Sequence, residues 1–269
     1  MNQLQCRLAF VGAGNMAEAI ARAAIDKGVL QPSQIVAADP SAERRDVFAG
    51  LGMHAVETLG EAVAASEQVM LSVKPQTLAK VAGELSAVLT DDHIVISIMA
   101  GLRAAKIEQA IGRSLRVVRV MPNTPMLVGQ GMSAIATGEH ARAGDDELTM
   151  KLFAAGGRAI RVDESQMDGI TAVSGSGPAY VFYLAEAMEQ AARDLGLGEH
   201  AELLVAQTLQ GAAKLLAESP DTAADLRRKV TSPGGTTEAA IKHLDEHSAL
   251  DTIAAAVKAA AARSKELGG

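Results

Sequence analysis

The stretch Thr231-Ser232-Pro233-Gly234-Gly235-Thr236-Thr237 runs directly into the helix-period sequence Glu238-Ala239-Ala240-Ile241. Adjacent glycines at the start of a helix present backbone N–H groups that no side chain shields. Unpaired donors and the positive end of the helix dipole make such a start a seat for a small anion. The hydroxyls of Ser232, Thr236 and Thr237 add adjustable donors and acceptors beside it. An ordinary reading competes, with Ser232 as N-cap and Pro233 in the first helical position. The opposite end of the chain supplies a reason to favour the anion seat.

There, the apolar run Leu8-Ala9-Phe10-Val11 has the form of a buried parallel strand and feeds into Gly12-Ala13-Gly14-Asn15-Met16-Ala17. Gly12 permits a tight turn, Gly14 lets backbone approach a pyrophosphate, and Ala17 is small enough for close helix–strand packing. A helix-period stretch follows through Ile20, Ala24 and Lys27, then a second strand-like run, Ile35-Val36-Ala37-Ala38. A G-x-G-x-x-A string alone is weak, but between strand and helix it reads as a dinucleotide loop. Asp39, at the tip of the second strand, suits the adenosine ribose hydroxyls of NAD. Arg44 and Arg45, a turn later, suit the 2′-phosphate of NADP instead. A third reading has Asp39-Pro40-Ser41 simply opening a helix whose arginines face water. Both cofactors stay open.

The elements that must position these loops follow from periodicity. Up to residue 162, strand-like runs at 69–73, 93–98, 115–121, 132–136 and 158–162 alternate with helical stretches at 76–89, 103–110 and through Leu148 and Phe153. This alternation predicts an α/β doubly wound sheet of about eight strands. After Asp163 the strand pattern stops. Helices are expected at 165–173, 177–196, 199–218, 221–230, 234–246 and 248–266. The predicted domains are therefore 1–162, binding the dinucleotide, and 163–269, all helical. The helical half has several apolar faces and little bulk to cover them, which points to intertwining with a second copy.

Composition narrows the function classes. A formal net charge of −7 over 269 residues, without a dense basic block, argues against nucleic acid and anionic membrane as partners. Apolar runs fall short of the ~18 residues a membrane span needs. The first residues lack a secretory pattern and lead straight into a strand, so the expected location is cytoplasmic. Cys6, the one cysteine, is expected just before the first strand as an inert small hydrophobe. With no Trp, two Tyr and four Phe, the core must be packed from small and aliphatic side chains.

Further punctuation follows the strands: Val73-Lys74-Pro75-Gln76, Met121-Pro122-Asn123-Thr124-Pro125, and Ala172-Val173-Ser174-Gly175-Ser176-Gly177-Pro178-Ala179-Tyr180. With the Gly12 loop before them and Thr231–Thr237 behind, their order and spacing closely resemble the pyrroline-5-carboxylate reductases, over essentially the whole chain. The resemblance implies a Rossmann-type domain, an all-α dimerisation domain, and an active site completed between two subunits, with decamers of dimers in many members. It implies reduction of 1-pyrroline-5-carboxylate to L-proline by NADPH or NADH, the last step of proline biosynthesis. By position it places Val73 and Lys74 along the nicotinamide ribose, with Pro75 and Asn123 in the same cofactor loops and Ala100 near the nicotinamide. The loop residues Gly12, Ala13, Gly14, Asn15 and Met16 would cradle the pyrophosphate, with Asp39 and Arg44 at the adenosine end. Ser232, Gly234, Gly235 and Thr236 would hold the substrate carboxylate, with Thr237 at the ring nitrogen. Two positions depart from the family pattern: Met99, where alanine is more usual, and Leu59, where an asparagine is more usual.

The implied chemistry suits these residues. A small cyclic imino acid has one carboxylate, which a helix start with bare glycine donors accommodates. The ring nitrogen needs a proton as the imine carbon is reduced, and the motifs hold no His or Glu for that task. An alcohol is a poor acid, so reduction of the iminium, protonated beforehand or through water, with Thr237 orienting it, is the expected route. Hydroxy-acid reductases of similar architecture rely on a lysine at the start of the long helix, and this chain has none between Val162 and Glu199. A dinucleotide-binding redox sensor without turnover is the rival from another class. His243 and His247 stand one turn apart, but a solvated helix face explains them better than a metal, and none is expected.

Overall fold

The computed structural model describes residues 5–268. Its strands are β1 (Cys6–Val11), β2 (Ile35–Ala38), β3 (His54–Val56), β4 (Ser66–Leu71), β5 (Ile94–Ser97), β6 (Arg116–Met121), β7 (Gly131–Thr137) and β8 (Gly157–Arg161). They form one sheet in the order β3-β2-β1-β4-β5-β6-β7-β8. The strands are parallel from β3 to β6; β7 then runs antiparallel to β6, and β8 parallel to β7.

Helices α1 (Asn15–Asp26), α2 (Ala42–Gly50), α3 (Leu59–Ala64), α4 (Leu78–Val88), α5 (Ala104–Ile111) and α6 (Glu147–Ala155) cover the sheet. Alternate strand residues supply two cores, as the period of two requires. Leu8, Phe10, Ile35, Ala37, Met70 and Ile96 join one with Ile20 of α1 and Phe153 of α6. Ala9, Val11, Val36, Val69, Leu71 and Val95 join the other with Leu85 of α4 and Ile107 of α5. Burial on both faces is why these strands read as unbroken apolar runs rather than alternating ones. Within the first core, Phe10 and Phe48 meet edge to face with centroids 5.9 Å apart, an arrangement that adds about 0.5–1.5 kcal/mol to their burial.

Several elements differ from the sequence reading, among them α3, which it did not give. The three-residue β3 has too little apolar run to show as a strand. The antiparallel β7 arises because a short 3₁₀ turn, Thr124–Val128, links it to β6. A parallel neighbour would need a crossover of a dozen residues or so. Cys6 opens β1 instead of preceding it and is 4% exposed; burial pushes its thiol up.

After the sheet come α7 (Met167–Ile170), a π-helical turn (Thr171–Gly175), α8 (Gly177–Asp194), α9 (Ala201–Glu218), α10 (Ala223–Lys229), α11 (Thr236–Glu246) and α12 (Ala249–Gly268). The chain divides into two compact units. The first runs through Ser176 and takes in α12 from Ala260 onward; the second is Gly177–Ala259. Met167 of α7 is buried with Ala134 and Ala136 of β7, so α7 packs within the first compact unit.

Candidate active site

β1, β4, β5 and β6 are parallel neighbours, so their carboxyl ends lie side by side. The loops leaving them are the Gly12 turn, Val73-Lys74-Pro75, the Met99-Ala100-Gly101 segment and Pro122-Asn123-Thr124. Strand order reverses between β1 and β4, the crevice where open α/β sheets bind dinucleotides. Tertiary order thus gathers on one edge loops that are dispersed along the chain.

Gly12 has φ +99°, and a Cβ there would stand 2.9 Å from Val73 Cγ1 and 3.1 Å from the Ser72 carbonyl oxygen. Only glycine fits that turn. Ser72 donates its hydroxyl to the Gly12 carbonyl at 2.6 Å, a fastening that the sequence reading missed. Gly14 caps α1 with no side chain of its own and faces open space. A cavity of about 570 Å³ opens here, lined among others by Gly12, Gly14, Asp39, Leu59, Val73 and Lys74. The cradle that a Cβ would fill and the open helix start fit a dinucleotide pyrophosphate. Asn15 lines a neighbouring groove with Met126 and Leu127, and Met16 packs against the core.

The acidic and basic candidates at the adenosine end separate. Asp39 accepts the Ala13 N–H at 2.8 Å through one oxygen and the Ser41 N–H at 2.9 Å through the other. Its carboxylate stays at the cavity edge with lone pairs to spare. Arg44 turns to the back of the glycine loop, donating to the Ala13 carbonyl at 2.5 Å and to Glu18 at 2.8 Å. Burial acts to raise the Glu18 carboxyl, but hydrogen bonds from Arg44 and Arg22 outweigh it and hold the group below the usual range. Arg45 donates to the Asp39 and Pro40 carbonyls.

The Asn123 side chain is committed within the protein. Its oxygen accepts the Met132 N–H at 2.8 Å, and its amide donates to the carbonyl and hydroxyl of Ser174 at 3.2 and 3.3 Å. Ser174 lies in the π-helical turn, a local form often found at functional sites. Gly175 completes the junction, since a Cβ there would collide with the Met121 methyl. Ala100 is exposed, and Pro75 opens a short 3₁₀ turn ahead of α4.

In the second unit, Gly235 is the N-cap of α11, and Thr236 and Thr237 are its first helical residues. The alternative of Ser232 as N-cap and Pro233 as first helical residue is therefore not what forms. Gly234, at φ +71°, turns the chain, and a Cβ on Gly235 would stand 2.7 Å from Ser232 Oγ. The first intrahelical bond runs from the Ala239 N–H to the Gly235 carbonyl at 3.3 Å. The amides of Thr236, Thr237 and Glu238 precede it and are free of the helix ladder. Glu238 reaches back to accept the Gly234 N–H at 2.8 Å, a role visible in hindsight as an acid in the third position after a cap.

His243 and His247 have ring centroids 4.3 Å apart, and His247 Nδ1 lies 2.8 Å from the His243 carbonyl oxygen. Among the described residues no third metal-ligating side chain joins them.

Known proteins resemble this chain along nearly its whole length. Residues 164–267 match the family model for pyrroline-5-carboxylate reductase dimerisation, and residues 7–101 match that for NADP oxidoreductase, coenzyme F420-dependent. Pyrroline-5-carboxylate reductase of Pseudomonas aeruginosa is 44% identical over 97% of this chain and 96% of its own. The chain belongs to the pyrroline-5-carboxylate reductase family. The Arabidopsis thaliana enzyme of that name is 40% identical over 97% of this chain and 95% of its own.

Solved structures of the family extend the match. A pyrroline-5-carboxylate reductase from Coxiella burnetii superposes with a TM-score of 0.89 at 37% identity, covering 98% of this chain and 99% of its own. The Plasmodium falciparum reductase, solved with NADP bound, gives 0.88 at 28% identity over 100% of both chains. The Rossmann-type sheet followed by a helical dimerisation domain is thus the architecture of this family.

Proposed function

We propose that this chain reduces 1-pyrroline-5-carboxylate to L-proline at the expense of NADPH or NADH, completing proline biosynthesis. The observation that carries the reading is the bare Gly235 cap of α11, its free amides aligned on an anion seat, in a chain that also builds the Gly12 cradle. Gly12, Ala13, Gly14 and Asn15 would hold the pyrophosphate, Asp39 the adenosine ribose, and Val73 and Lys74 the nicotinamide ribose. When bound, the reduced nicotinamide supplies a hydride to the imine carbon. Hydride transfer requires the donor and the imine carbon to be held roughly 3–3.5 Å apart.

The amides of Thr236 and Thr237, with the Ser232 hydroxyl, grip the substrate carboxylate, and the flanking glycines leave room for it to approach. The like-charged Glu238 keeps Gly234 N–H occupied and fixes the loop in that shape. Thr237, half-buried in the first turn, orients the ring nitrogen, which arrives as the iminium or takes its proton through water. Asn123 acts from outside the ligand: its saturated amide sets the loop after β6 against the π-helical turn.

The assembly we infer is a homodimer or a larger ring of dimers. In α8, Phe182, Tyr183 and Leu184 are 62%, 76% and 51% exposed, and none of that helix is buried. So much exposed apolar surface is unusual for a monomer and suits a second copy. No helix among the described residues is long and apolar enough to cross a membrane, which is compatible with the cytoplasmic location we propose.

The test is direct. Protein is mixed with NADPH and pyrroline-5-carboxylate, and absorbance at the reduced nicotinamide band is followed. Loss of the band with stoichiometric proline supports the reductase; tight cofactor binding without turnover points to a redox sensor instead.

A further inference from the structure

The loop leaving β5 is held from behind by the final turns of α12, within the first compact unit. Gly101 has φ +78°, and a Cβ there would stand 3.1 Å from Leu267 Cβ. A Cβ on Gly268 would stand 2.7 Å from the Gly101 carbonyl oxygen. Paired glycines therefore let helix end and loop meet backbone to backbone. Beside this crossing, Ser264 is 5% exposed and donates to Asp168 Oδ1 at 2.7 Å. The other Asp168 oxygen lies 3.8 Å from Arg103 Nη2, just before α5. Glu164 Oε1 accepts the Ala104 N–H at 2.8 Å and Arg119 Nη1 at 2.9 Å. The loop is fastened on its inner side by groups from α12, from α7 and from the turn before α7. Ala100, one residue from the crossing, remains exposed.

We propose that the α12 segment from Ala260 to Gly268 is a strap that sets the position of the Ala100 loop against the nicotinamide, with Ser264 and Asp168 as positioning residues. The proposal rests on the reading that Ala100 faces the nicotinamide ring. A loop bearing small residues can give a flat ring a close seat only if its backbone cannot retreat. Displacement of about 1 Å is enough to spoil a near-attack arrangement. Fastening by a partly buried hydroxyl–carboxylate bond limits that retreat without adding a side chain to the site.

The experiment compares two probes by titration calorimetry: NADPH, and 2′-phospho-ADP-ribose, which lacks the nicotinamide. Ser264→Ala should weaken NADPH about three- to tenfold, the worth of one hydrogen bond, and leave 2′-phospho-ADP-ribose unchanged. Asp168→Asn keeps an oxygen for the Ser264 hydroxyl and should stay within about twofold of the parent. Gly268→Ala, which forces helix end and loop apart, should behave as Ser264→Ala does. Equal weakening of both probes, or of neither, would overturn the strap and leave only a structural brace. Ala100→Leu separates the two readings. If it weakens NADPH alone while Ser264→Ala does nothing, the strap is wrong and the site stands. If Ala100→Leu changes neither probe, the placement of Ala100 fails and the strap falls with it.

Discussion

Asn123 donates its side-chain amide to both the carbonyl and the hydroxyl of Ser174, at 3.2 and 3.3 Å, across 51 residues of sequence. The same side chain accepts the Met132 N–H at 2.8 Å. A loop at the sheet edge, the start of β7 and the π-helical turn are therefore set by one amide.

That arrangement makes Asn123→Ala costly. It leaves the Met132 N–H and the Ser174 groups without their partner, which should cost about 1–3 kcal/mol in urea unfolding. Turnover should fall with it as the loop loosens. Ser174→Ala leaves the carbonyl acceptor in place and should do much less to either quantity.

Asp39 is the residue whose change should alter cofactor choice. Asp39→Asn replaces one acceptor oxygen by a donor, giving up one of the bonds from Ala13 or Ser41 N–H, weakening the grip on a 2′-hydroxyl and removing repulsion toward a 2′-phosphate. The ratio of kcat/KM for NADH to that for NADPH should drop roughly tenfold. Arg44→Ala should act differently, by loosening the glycine loop and raising KM for both cofactors, since its guanidinium holds the Ala13 carbonyl. Steady-state kinetics with each cofactor check both outcomes.

Thr237→Ala should lower turnover about 10- to 1000-fold while the melting temperature hardly moves. Thr237→Ser keeps the hydroxyl and should recover most of the rate. Unchanged turnover in the alanine variant would remove Thr237 from the reaction.

Asp145 should govern acid stability. Burial acts to raise its carboxyl, but the Arg116 hydrogen bond, with help from the Arg142 N–H, outweighs it and holds the group low. A carboxyl held lower in the fold than in the unfolded chain stabilises above the unfolded value, near 4 on a rough scale. That contribution is lost as pH falls through the folded value. The Asp145 side chain is 3% exposed and Arg116 keeps the Asp92 carbonyl as a second acceptor, so Asp145→Asn should cost about 1–3 kcal/mol at neutral pH through the weakened charge-assisted bond. The variant should also show a shallower loss of stability on acidification, read from denaturant midpoints across pH.

Most parts of the candidate site were legible one loop at a time. Gly12, Gly14 and Asp39 announce themselves because a strand, a turn and a helix start impose local demands that few residue types meet. The diglycine before Thr236 is legible for the same reason, although the competing Ser232 cap could be dismissed only when Gly235 was seen to cap α11. The short β3 and the reversed β7 were not legible, because three residues carry too little pattern and strand direction depends on a connection.

What the sequence by itself determined is the list of elements and the chemistry of their loops: periodicity and turn composition are local, and each is enforced within a few residues. Only the tertiary structure decided which way long side chains point and what they meet. Arg44 turned to Glu18, Asn123 to Ser174, and Ser264 to Asp168 across 96 residues. Those choices depend on groups brought together by burial of the sheet's two faces, and separation along the chain carries no record of them.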